Sequence, residues 1–159
     1  PTERRNPYVQ MSREGWRLAM DISAYSLVAA ARTTMPLMSR GGTIVTISYY
    51  GGEKVIPGYN VMGVCKAALE HSVRYLAWDL GPKGIRVNCI SAGPMRTLSS
   101  AGIAEFDQMQ EHAARKAPLR RDVEFGEIGA AGVYLLSGQS EGVTGETLHV
   151  DCGFSIVGL

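Results

Sequence analysis

The chain is short of cysteine, histidine, net charge and long apolar runs, and each shortage excludes a class of function. Its three cysteines, Cys65, Cys89 and Cys152 in 159 residues, are odd in number, far apart and set in apolar or strand-like surroundings. That excludes a disulfide framework or a zinc site, and small, reduced core residues are expected instead. His71, His112 and His149 cluster neither with each other nor with acids, so packing or surface roles are expected and no metal site. Sixteen basic against fifteen acidic residues leave a charge of +1, which excludes nucleic acid and an anionic membrane as expected partners. No apolar run approaches the ~18 residues of a membrane span, and Pro1 to Tyr8 lack the apolar core of a signal peptide. A soluble, cytoplasmic protein is expected.

What is present suits one globular domain over 1–159: 45% hydrophobic and 19% charged residues, at a length that can bury a core. Ser12 is an N-cap candidate for a helix through Trp16, Ala19, Met20, Ser23, Leu27, Ala30 and Ala31, stopped by Pro36 and Gly41-Gly42. Thr43 to Ser48 is a β-branched run that reads as a buried parallel strand. A helix follows from Tyr59 to about Leu80, with Leu69, Val73, Leu76 and Leu80 facing the sheet and Gly81-Pro82 and Gly84 ending it. Ile85 to Ile90 is a second strand, Glu124 to Leu136 a further helix and Thr147 to Val150 a last strand. This alternation, without repeat or linker, is an α/β parallel half-sheet. The chain opens at Pro1 on what is soon a helix, and is expected to be a piece of something longer.

Chemistry concentrates between Ser48 and Lys66. Tyr59 and Lys66 are seven positions apart, two helical turns with about 20° of drift, so a helix starting at Tyr59 projects phenol and ammonium from one face. Such a pair suits a reaction in which negative charge develops on an oxygen. The phenol donates to that oxygen, while the lysine holds a polyol and lowers the phenol's pKa. A half-buried tyrosine with an exposed lysine two turns on is the bland alternative, and the spacing alone leaves both open. In a parallel sheet, Ser48-Tyr49 and Ser91 to Thr97 both follow strand carboxyl ends, where ligands bind. There Gly93 would let backbone approach a ligand, Pro94 would stiffen the exit, and Thr97 would offer a hydroxyl and a backbone N–H.

Tyr49-Tyr50-Gly51, Tyr59-Asn60-Val61-Met62-Gly63, Lys66-Ala67, Arg74-Tyr75-Leu76-Ala77, Leu80-Gly81-Pro82, Gly84-Ile85-Arg86-Val87-Asn88 and Ser91-Ala92-Gly93-Pro94 resemble, in order and spacing, the bacterial NADH-dependent enoyl-[acyl-carrier-protein] reductases. These are a divergent branch of the short-chain dehydrogenase/reductases. Ordinary members of that superfamily place the lysine four positions after the tyrosine, where this chain has Gly63. The resemblance implies a partial Rossmann-like, doubly wound fold of three strands, NADH as cofactor, and reduction of trans-2-enoyl-acyl-carrier protein in fatty-acid biosynthesis by a homotetramer.

It further implies that Tyr49, Tyr59 and Lys66 are catalytic. Cofactor contacts would come from Ser48, Lys66, Ala92, Gly93, Pro94, Met95, Arg96, Thr97, Leu98 and Ser99. Substrate contacts would come from Tyr49, Tyr59, Met62, Ser99, Ile103 and Phe106. Residues 98–116 would be a substrate-binding lid, and Ser23 would lie near the active site on a helix at a subunit interface. Two departures matter. No Gly-rich turn opens a helix to seat a pyrophosphate, so the adenosine half of the cofactor site is expected outside the chain. Cys65, Cys89 and Cys152 also stand where the family has alanine or glycine, and Gly52 and Gly58 where it has alanine and asparagine. Open alternatives are a carbonyl reductase of the wider superfamily and a non-catalytic, oligomerising piece.

Overall fold

A computed structural model describes residues 7–97, 100 and 106–158. Three parallel strands, β1 (Gly42–Tyr49), β2 (Ile85–Ala92) and β3 (Thr147–Val150), form one sheet in the order β1-β2-β3. β2 is central and almost wholly buried, whereas β1 pairs with β2 alone among the described residues. The α/β reading holds, with each strand one or two residues longer than, or equal to, its apolar run.

The expected first helix starts at its predicted cap, where the Ser12 hydroxyl accepts from the Gly15 N–H at 3.0 Å. It is not continuous: α1 (Arg13–Met20) passes through a π-helical segment, Asp21–Tyr25, before α2 (Ser26–Thr34). This wider turn falls in the polar band, and such segments often mark functional sites.

Helix α3 (Val61–Leu80) begins two residues later than its spacing suggests. Asn60 has φ 44° and ψ −121°, and Gly58 has φ 78°, so the chain bends sharply there and leaves Tyr59 outside the regular helix. Leu69, Val73, Ala77 and Leu80 of α3, with Leu27 and Ala31 of α2, pack on Ile85, Val87 and Cys89 of β2. Leu76 is only half-buried, and Ala77 takes the central place.

On the other face of the sheet, Asn88 is fully buried. Its amide donates to the Val143 carbonyl at 2.9 Å and its carbonyl accepts from the Glu146 N–H at 3.1 Å. Arg86 donates to the carbonyls of Leu135 and Ser137 at the end of α5 (Phe125–Leu136), where a cation offsets the helix dipole. Helix α4 (Phe106–Lys116) leads to a small cluster of Ala117, Val123 and Cys152. All three cysteines are buried and free, as expected. Among the described residues no helix is long and apolar enough to cross a membrane.

Candidate active site

A cavity of about 830 Å³ opens beyond the carboxyl ends of β1 and β2. Its walls are Ile22, Ser23 and Ser26 on the π segment and α2, Ser48 and Tyr49 ending β1, and Tyr59, Met62 and Lys66 at the start of α3. Ala92 to Met95 and Thr97 follow β2, and Phe106 and Met109 reach in from α4. Lys66 is the one charged side chain among the described lining residues.

Two phenols meet here at an edge, Tyr49 against Tyr59, with ring centroids 5.0 Å apart and planes at 75°. The Tyr49 O–H donates to the Met109 sulfur at 3.4 Å, tying the end of β1 to α4. The turn Tyr50–Gly52 presses these rings into place. A Cβ on Gly51 would lie 2.5 Å from the Tyr59 ring, and one on Gly63 would lie 2.6 Å from the Gly51 carbonyl oxygen. No side chain fits at 63, which is the position ordinary superfamily members give to lysine. The ammonium comes instead from Lys66, and its Nζ donates to the Ile47 carbonyl at 2.8 Å.

Burial sets the protonation states. It pushes the Tyr49 phenol up to about 12. It raises the Tyr59 phenol too, with smaller upward contributions from Tyr49, Cys65 and Glu70. The expectation that Lys66 lowers the Tyr59 pKa is therefore corrected: desolvation dominates, and the phenol is a protonated donor at neutral pH. Burial also lowers the Lys66 pKa, opposed by Cys89, Glu70 and Cys65.

Of the expected site residues, Ser48, Tyr49, Tyr59, Met62, Lys66, Ala92, Gly93, Pro94, Met95, Thr97 and Phe106 all line the cavity. Leu98, Ser99 and Ile103 lie outside the described residues, as does part of the expected lid over 98–116. Arg96 is not on the cavity wall, and its guanidinium pairs with Asp107 of α4 at 2.7 Å. A Cβ on Gly93 would lie 3.0 Å from Val123 and 3.1 Å from the Asp151 backbone, so protein packing already crowds that position. The Thr97 N–H offered to a ligand is taken by the Ser100 hydroxyl at 2.7 Å.

The sequence reading missed Met109, whose reach into the site depends on how α4 docks, and Ser26, Thr46 and Ile47. It also set His149 apart from acids, yet His149 Nε2 lies 2.6 Å from Glu53 Oε1, across 96 positions of chain. Ser23, expected near the site, does line it, with its hydroxyl 4.0 Å from the Met62 sulfur.

The donor set fits the nicotinamide end of a dinucleotide. An ammonium with two N–H donors left beyond its bond to Ile47 suits ribose hydroxyls, the β2 exit supplies backbone groups, and Met95 gives an apolar wall for a planar ring. A carrier for pyrophosphate is absent among these lining residues.

The family model described as Enoyl-(Acyl carrier protein) reductase matches residues 2–155. An enoyl-[acyl-carrier-protein] reductase [NADH] of Rickettsia prowazekii is 52% identical over 98% of this chain and 60% of its own length. The solved Bacillus cereus enoyl-acyl carrier protein reductase with NADP+ and indole naphthyridinone superimposes at a TM-score of 0.96 and 51% identity, over 99% of this chain and 62% of that one. The Anaplasma phagocytophilum reductase in complex with NAD gives 0.94 and 52%, over 99% and 60%. The chain thus spans about three fifths of the length of these relatives. With the paired phenols, the displaced lysine and the match along 2–155, the chain belongs to the enoyl-(acyl carrier protein) reductase family.

Proposed function

We propose that this chain forms the nicotinamide and acyl end of an NADH-dependent enoyl-[acyl-carrier-protein] reductase acting on trans-2-enoyl thioesters in fatty-acid biosynthesis. The observation that carries the reading is the convergence of Tyr49, Tyr59 and Lys66 on one cavity, with the lysine three positions beyond a glycine that admits no side chain. A nicotinamide held by Lys66 and the β2 exit would supply hydride to the β-carbon of the thioester. The chain's own residues do the rest. Tyr59, held neutral by burial, donates its proton to the oxygen on which charge builds, and Tyr49 lines the acyl pocket beside it. Lys66, anchored on Ile47, orients the ribose. Met62 and Phe106 exclude water from the acyl side, and Ser48, Ala92, Pro94, Met95 and Thr97 border the nicotinamide.

A homotetramer is proposed as the assembled form. The exposed Val64, Tyr75 and Trp78 on one side of α3, with Trp16 and Tyr25 near α1, offer an apolar face for it.

The test uses the nicotinamide end alone. Reduced nicotinamide mononucleotide should perturb amide signals of Ser48, Lys66 and Met95 in this chain, and Lys66→Met should weaken that binding about tenfold or more, because a ribose contact is made in ground and transition states alike. Perturbations scattered away from these residues, or equal binding by Lys66→Met, would overturn the assignment.

A further inference from the structure

One buried carboxylate is not used by the mechanism above. Glu70 lies one turn beyond Lys66 on α3 and is only 5% exposed. The Ser48 hydroxyl donates a short hydrogen bond to its Oε1. Ser48 is in register with Ser91, and Ser91 with His149, so three polar side chains run across β1, β2 and β3 on one face of the sheet. At the far end His149 meets Glu53 at 2.6 Å. In the middle the Ser91 hydroxyl, 1% exposed, has no hydrogen-bond partner among the described residues. A buried hydroxyl in that state is costly unless the row is completed by a water. The Tyr50–Gly52 turn roofs the row, and a Cβ on Gly52 would lie 2.8 Å from Glu70 Oε1 and 3.0 Å from the Ala67 nitrogen. Glycine here leaves the carboxylate its place.

We propose that Glu70, anchored by Ser48, is a positioning residue for Lys66: its carboxylate fixes the place and charge of the ammonium at the Ile47 carbonyl. This deepens the reading of the site and rests on it. The groups facing Glu70 act in opposite directions, and the Tyr59 phenol before α3 is among them. Ser48 and Cys89 approach from the sheet, Glu53 from the turn after β1, His149 from β3, and Lys66 and Arg74 from α3 itself. Burial raises the Glu70 pKa, Glu53 raises it further, and Ser48, His149 and Arg74 lower it. Glu70 in turn opposes the desolvation of Lys66. Without the carboxylate, an ammonium half-buried in a largely apolar cavity loses its proton more readily.

The experiment reads ionisation directly, by ¹³C NMR of lysine Cε and glutamate Cδ in the 159-residue chain, with the Lys66 signal assigned by its loss in Lys66→Met. In Glu70→Gln the Lys66 midpoint should fall by about one pH unit, and Glu70→Asp should restore part of that shift. In the wild type, the Lys66 curve should show a second step at the pH where the Glu70 carboxyl titrates. A folded Glu70→Gln with an unmoved Lys66 midpoint would overturn the inference. If that variant does not fold, a single-step wild-type curve overturns it alone. A purely structural Glu70 would lower thermal stability and leave Lys66 where it was. Binding of reduced nicotinamide mononucleotide to the wild type is measured beside these. Its absence would count against the reading of the site with the coupling intact, and an unmoved Lys66 would count against the coupling with the reading intact.

Discussion

At the scale of single residues, labour in the proposed reading is divided between Tyr59 as proton donor and Lys66 as anchor. In a fusion that supplies the part of the relatives' length this chain does not span, Tyr59→Phe should lower enoyl-thioester-dependent NADH oxidation by about 10²–10⁴-fold, as for a lost general acid. Binding of NADH should change little, since only the phenol proton meets the developing oxyanion. Unchanged turnover would remove Tyr59 from the mechanism. Cys152 raises a separate point. It stands at φ 58°, in the left-handed region, and is 9% exposed in a small apolar cluster. Relief of strain on replacement by glycine, about 1–2 kcal/mol, opposes the loss of a buried thiol of similar worth. Cys152→Gly should therefore stay within about 1 kcal/mol of the parent in urea unfolding, whereas Cys152→Val should lose about 2 kcal/mol despite filling the space, because a β-branched residue resists that backbone. Equal stability of the two variants would show that the position is unstrained.

At the scale of elements, α5 starts with a capping box in which Glu124 and Glu127 exchange backbone bonds, and Glu127 also takes the Arg121 guanidinium at 2.6 Å. Arg121, foremost, and the Glu124 N–H hold the Glu127 carboxyl down at about 2, from an ordinary 4.5. A depressed folded-state pKa contributes stability above the unfolded value and loses it as pH falls toward the folded one. The window is therefore pH 4.5 to 2, with surface screening keeping the effect small. Glu127→Gln should be less stable than the parent at pH 6, and the gap should close across that window in thermal melts. A gap independent of pH would mean that the carboxylate's charge does not matter to the cap. The same element scale explains why Tyr59 and Lys66 share a cavity although Tyr59 is outside α3. The bend at Gly58 and Asn60, together with the turn Tyr50–Gly52, brings the phenol to the lysine, and helical periodicity does not.

At the scale of the molecule, β1 is paired on one side among the described residues and carries Ile47 at 46% exposure. An open, apolar parallel edge invites pairing with other chains. The 159-residue chain should therefore self-associate with rising concentration, and Ile47→Lys should shift sedimentation toward the 17.1 kDa monomer. A monodisperse monomer at all concentrations would show the edge to be harmless. On the proposed reading the cavity takes only the nicotinamide end, and no described lining residue receives a pyrophosphate, so we expect feeble NADH affinity and little turnover from this chain alone. Adding the remaining segment of a relative should restore both. Micromolar NADH binding without it would contradict that view.

Three features followed from the sequence by itself. The alternation of apolar runs with 3.6-periodic segments determined a parallel α/β sheet, because strands buried on both faces and helices buried on one leave different patterns. The ends of β1 and β2, marked by Ser48-Tyr49 and Ser91 to Thr97, had to lie at one edge, because parallel strands point the same way. Gly63 in the usual lysine position, with Lys66 beyond it, already marked the branch of the family. Only the tertiary structure decided the rest. The row Ser48, Ser91 and His149 depends on strand register, and the Glu53–His149 pair on a contact across 96 residues. The part of Met109 depends on how α4 docks, and the raised Tyr59 pKa on desolvation by neighbours from several elements. Spacing along a chain reports which groups share a helix face. It does not report which groups distant backbone brings within reach, nor how much water they leave behind.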